Sequence, residues 1–87
     1  MFSGEPQSVE IVCANEIIDE IIDKFGEKVS INKFGDDRFR IVINAAVSDG
    51  LVSWIMQFGN KIEVRKPEEL KKMVLDRVDE IKSVYKI

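Results

Sequence analysis

The stretch LVSWIMQFGNKIEVRKPEEL, residues 51–70, decides the fold. Leu51, Val52, Trp54, Ile55 and Phe58 recur at helical spacing, Gly59 stops that helix, and Ile62 and Val64 alternate as a strand. Pro67, with Glu68 and Glu69 behind it, then opens another helix at its first position. The middle of this stretch repeats an earlier one. Phe58-Gly-Asn-Lys-Ile-Glu-Val64 and Phe25-Gly-Glu-Lys-Val-Ser-Ile31 both read Phe-Gly-x-Lys-apolar-x-apolar, and each follows an amphipathic segment. In each copy Phe closes a helix against the core, Gly supplies the left-handed turn and Lys leads into a strand.

Outward from the repeat, the rest of each half falls into place. Residues 8–14 alternate, with Val9, Ile11 and Cys13 on one face and Ser8, Glu10 and Val12 on the other. Asn15 is the expected N-cap of a helix whose stripe is Ile17, Ile18, Ile21, Ile22 and Phe25, with Gly26 as its stop. A second strand is expected over residues 28–34, with Val29 and Ile31 on the core side. The loop Gly35-Asp36-Asp37 returns the chain into residues 38–45, and a three-residue loop sets Ile31 opposite Ile41. Phe39, Ile41, Ile43 and Ala45 then face inward, and Arg38, Arg40, Val42 and Asn44 outward. Ser48 or Asp49 caps the second helix, and the fourth strand is expected over residues 61–65. The order β-α-β, β-α-β predicts an α+β, ferredoxin-like sandwich, a four-stranded antiparallel sheet with helices on one face. A last helix to about Tyr85, with the stripe Leu70, Met73, Val74, Val78, Ile81 and Tyr85, is an addition to that plan. It is long for so small a domain, which predicts that part of its apolar surface meets a partner.

At 87 residues the chain supports one core. No apolar run approaches the roughly 18 residues that cross a bilayer, and the first residues lack the basic and apolar regions of a signal peptide, so a cytoplasmic location without membrane contact is expected. Cys13 is the single cysteine and there are no histidines, which removes the commonest general base and metal ligand. No metal or cofactor is expected, and no nucleophile stands beside a base. The net charge of -3 argues against the domain neutralising a nucleic-acid duplex by itself.

With the first and third strands central, the outer sheet face carries Glu10, Val12, Arg38, Arg40, Val42, Asn44, Lys61, Glu63 and Arg65. Arg38 and Arg40 lie two apart on one strand, so both guanidinium forks point the same way and suit phosphate or carboxylate. Arg38, Arg40, Lys61 and Arg65 are therefore the candidate site for nucleic acid or an anionic effector. Three states of this face are open: a solvated surface with cross-strand pairs to Glu10 and Glu63, an anion site, or a surface covered by a neighbouring domain. Base stacking on the central strands is not supported, because Arg-x-Arg-x-Val-x-Asn supplies no aromatic and Phe34 stands alone at an edge. Trp54 and Phe58 are expected in the core, and Asp19 and Asp23 on a solvated helix face.

Residues 51–64, continuing into Lys66-Pro-Glu-Glu-Leu70 and ending near Tyr85, resemble the C-terminal extension, or WCX domain, of WYL-domain transcriptional regulators. Met1-Phe-Ser-Gly-Glu-Pro6 also resembles the segment that joins a WYL domain to this extension, so residues 1–7 are expected to be a linker from an upstream WYL domain and 8–87 the WCX-type domain. The resemblance implies a bacterial regulator with an N-terminal helix-turn-helix that contacts DNA, a central WYL domain and this non-enzymatic module. It further implies a homodimer, packing against the WYL domain of its own or the partner subunit, and a nucleotide or single-stranded nucleic acid as effector. Leu70, Val74, Val78, Ile81 and Tyr85 are the expected interface. The alternative is a free-standing domain that binds an anionic small molecule.

Overall fold

A computed structural model describes residues 5–26 and 29–86. Its elements run β1 (Pro6–Ala14), α1 (Ile18–Phe25), β2 (Ser30–Phe34), β3 (Arg38–Ala46), α2 (Asp49–Met56), β4 (Ile62–Lys66) and α3 (Glu68–Tyr85). Short 3-10 turns at Asn15–Ile17 and Gly59–Lys61 lead into α1 and β4. The strands form one antiparallel sheet in the order β2-β3-β1-β4, the arrangement that two βαβ halves produce.

The alternation in β1 and β3 matches the packing. Val9, Ile11 and Cys13 from β1, Phe39, Ile41 and Ile43 from β3, and Ile62 and Val64 from β4 share one core with residues of the helices. Ile31 stands opposite Ile41, as the three-residue loop requires. The two copies of the repeat converge on one residue. Phe25 and Phe58 both meet the Trp54 ring edge-on, with centroids 5.2 and 5.1 Å away, a geometry that places ring edges against the electron-rich face. Gly26 and Gly59 both hold positive φ, at 88° and 57°, where a side chain would be strained.

Several boundaries differ from the expectation. β1 begins at Pro6 rather than residue 8, because Ala45 and Ala46 of β3 offer it partners and proline is tolerated at a strand's first position. Asn15 does not cap α1; it lies in the 3-10 turn, and its backbone N–H donates to the Asp37 carbonyl at 3.1 Å, tying this turn to the hairpin loop. Ser48 does cap α2, its hydroxyl accepting from Leu51 N–H at 3.2 Å. α2 ends at Met56, so Gly59 opens a 3-10 turn instead of terminating the helix directly. Pro67 is the N-cap of α3, not its first helical residue. β2 starts at Ser30, β4 starts at Ile62, and the Lys28 of the repeat lies outside the described residues.

Ile31 was expected in the core and is exposed. Its face of β2 lacks a covering helix there, whereas Val29 packs against the core. On the opposite edge, α3 lies along β4, with Leu70 fully buried and Met73 and Val74 packed on the core. Arg77 fixes α3 to α2, donating to the Ser53 hydroxyl at 3.4 Å and standing 3.8 Å from Asp49. Beyond this point α3 leaves the body of the domain, and Ile81, Val84 and Tyr85 are exposed.

Candidate functional site

The outer face of the sheet gathers arginines from two strands that are not neighbours. β3 places Arg38 and Arg40 on this face and β4 places Glu63 on it, because paired residues in register point to the same side, and Arg65 joins them through its contacts with Glu63 and Phe34. A register shift between Glu10 and Ile11 leaves Arg65 without a direct partner on β1. Such a bulge re-aims a side chain. The Glu63 carboxylate stands between two guanidinium groups, one oxygen 3.6 Å from Arg38 and the other 3.5 Å from Arg65. The same two groups lie over the Phe34 ring, at 5.1 Å for Arg38 and 5.7 Å for Arg65. Arg40 pairs with Glu10 at 3.4 Å.

Beneath this layer Val12 is 1% exposed, although it stands outside the core cluster and on the face that the helices leave open. It lies between Arg40 and Glu63 in register, flanked by long side chains whose aliphatic stems can cover apolar surface. The face is thus neither bare nor covered by another element. It is a charged layer over one apolar residue, held by solvent-exposed pairs that each contribute at most about 1 kcal/mol. Three arginines stand against two glutamates, so the face carries an excess positive charge that can accept an anion.

Of the four basic residues singled out in the sequence, Arg38, Arg40 and Arg65 share this face. Lys61 does not join them: it ends the 3-10 turn before β4 and pairs with Glu16 at 3.1 Å. Phe34 is the residue that the sequence reading undervalued. The hairpin register that sets Ile31 against Ile41 also sets Phe34 against Arg38, so this contact was present in the pattern. Its contact with Arg65 crosses the sheet from the opposite edge strand, which the pairing of β2 with β3 does not encode.

The second surface is α3. Of its stripe, Leu70 is fully buried, Val74 and Val78 are half-buried, and Ile81 and Tyr85 are exposed, with Leu75 at 56% beside them. Cys13 is not a reactive thiol, because burial pushes it up to about 12 and keeps it protonated. No cluster of acidic or sulfur side chains able to hold a metal ion occurs among the described residues, and no helix among them is long and apolar enough to cross a membrane.

A family model described as the WCX domain matches residues 5–82. The chain belongs to the WCX family. The WCX domain is the C-terminal extension of WYL regulators, which makes this chain a module of WYL-type transcriptional regulators, a family not known to be enzymatic. Comparison with curated proteins finds no match. The match spans both βαβ halves and most of α3, so the long last helix is part of the WCX domain itself.

Proposed function

We propose that this WCX domain is the regulatory and dimerisation module of a bacterial WYL-type regulator, contributing to effector sensing while a helix-turn-helix elsewhere reads DNA. The observation that carries the sensing role is the outer face, where Arg38 and Arg65 share one carboxylate and one aromatic ring. An incoming phosphate can displace the Glu63 carboxylate and take over both guanidinium groups, at the cost of exposed pairs worth little to stability. Phe34, over whose ring these groups lie, becomes a surface for a nucleobase as the guanidinium groups turn to the phosphate. The ligand class that fits is a nucleotide or single-stranded nucleic acid. A small anionic metabolite would use the same arginines without Phe34.

The dimerisation role is supported by α3, whose last two turns present Ile81, Val84 and Tyr85 beyond the point where Arg77 fixes it to α2. A WYL domain, of the same or the partner subunit, is the surface that would cover them.

Titration of a fluorescently labelled single-stranded oligonucleotide tests the site. Wild type is expected to bind saturably and to weaken as salt rises. The Arg38→Ala/Arg40→Ala variant is expected to lose about tenfold or more in affinity, and equal binding by this variant removes those residues from the site. Competition by inorganic phosphate alone, with Phe34→Ala binding as wild type does, would favour the small-anion ligand.

A further inference from the structure

The two carboxylates of the outer face are held differently. Glu10 stands on the central strand β1, opposite Lys66 of β4, and its side chain is 19% exposed where it pairs with Arg40. Glu63 stands on the edge strand, its side chain 53% exposed, and divides its two oxygens between Arg38 and Arg65. Glu10 closes a pair, whereas Glu63 fills a seat between two cations. It fills that seat loosely, because contacts of 3.6 and 3.5 Å are longer than the about 2.7–2.9 Å of a close charge-assisted hydrogen bond. Its backbone is nonetheless fixed, since Glu63 pairs with Val12 in the ladder between β4 and β1. The carboxylate therefore stays within reach of the seat, an internal competitor whose effective concentration is on the order of millimolar or more.

We infer that Glu63 is the selectivity residue of this site: it holds the seat between Arg38 and Arg65 against singly charged anions and yields it to a terminal phosphate, a phosphomonoester, whose nucleobase meets Phe34. This inference rests on the reading of the outer face as the effector site and narrows its ligand class. The reason is charge. An internal phosphodiester brings one negative charge, so exchanging it for the carboxylate leaves the two guanidinium groups no better neutralised than before. A phosphomonoester has its second pKa near about 6, so at pH 7 it brings about 1.5 to 2 negative charges and three acceptor oxygens, enough to engage both guanidinium groups at once. The displaced Glu63 carboxylate, already half exposed, turns to water. The Phe34 ring, over which both guanidinium groups lie, is freed as they turn to the phosphate. A strand end and a free nucleoside monophosphate share this chemistry.

Two single-stranded oligonucleotides of one sequence, one 5′-phosphorylated and one ending in a 5′-hydroxyl, each with a dye at the 3′ end, test the inference by fluorescence anisotropy. Wild type is expected to bind the phosphorylated strand about tenfold more tightly or better. Glu63→Gln keeps the size of the side chain and removes its charge. This variant is expected to bind the 5′-hydroxyl strand about tenfold more tightly than wild type does, so that the preference shrinks to about threefold or less. Glu10→Gln removes the same charge from the same face but leaves the seat occupied, and is expected to keep the wild-type preference. Adenosine 5′-monophosphate that competes at the affinity of the phosphorylated strand assigns the seat to a free nucleotide, and much weaker competition assigns it to a strand end; both outcomes support the monoester. Equal binding of the two strands by wild type, or a preference that Glu63→Gln leaves intact, overturns the inference while the effector site stands. An equal loss of preference in Glu10→Gln also overturns it, because net charge alone then accounts for the effect. Absence of binding of either strand by wild type and by Glu63→Gln overturns the effector reading and this inference together.

Discussion

The two βαβ halves share the Phe-Gly-x-Lys-apolar-x-apolar pattern, yet its last residue is 7% exposed as Val64 and 38% exposed as Ile31. Both point inward from an edge strand. What separates them is the chain that follows. After β4 the chain turns at Pro67 into α3, which lays Leu70 and Val74 against the sheet. After β2 it turns at once into β3, and no helix is left to cover that end of β2. A repeated sequence pattern therefore fixes which way a side chain points, while its burial depends on what the rest of the chain brings to it.

The comparison can be broken most decisively at Leu70, the residue through which α3 closes the second half. Leu70→Ala is expected to cost about 4 kcal/mol by urea denaturation, from lost burial and the cavity left behind. A loss below about 1 kcal/mol would mean that α3 is not what buries β4. The repeat positions themselves give a sharper contrast. Val64→Ala is expected to cost about 2 kcal/mol and Ile31→Ala less than about 1 kcal/mol, so equal losses would dissolve the difference between the halves. The smallest effect lies at the helix starts. Ser48→Ala removes the α2 cap and is expected to cost about 1 kcal/mol, whereas Asn15→Ala at the start of the first half is expected to change stability by only a few tenths, because Asn15 acts there through its backbone.

The candidate site divides along a similar line. Strand alternation was enough to place Arg38, Arg40 and Glu63 on the outer face. It was also enough to foresee cross-strand pairs with Glu10 and Glu63, which the arginines make. Which residues meet was less legible. Lys61 carries the same charge as the arginines and precedes the same strand, but the 3-10 turn sends it to Glu16. Phe34, a lone edge aromatic in the sequence, lies under two guanidinium groups, one from the neighbouring strand and one that reaches it from β4 across the face.

α3 shows the limit from the other side. Its apolar stripe was readable from Leu70 to Tyr85, since a helix sets side chains at fixed angular intervals. The division of that stripe at Arg77 was not readable, because it depends on where the body of the domain ends beneath the helix. By itself the sequence determined the βαβ repeat, the hairpin register, the two faces of each strand and the WCX resemblance, all consequences of local periodicity and turn chemistry. Only the tertiary structure decided that Ile31 is open and Val64 closed, that Val12 is buried on the outer sheet face, and that Arg65 falls in a bulge of β4. These depend on contacts between segments far apart in the chain, which no local pattern encodes.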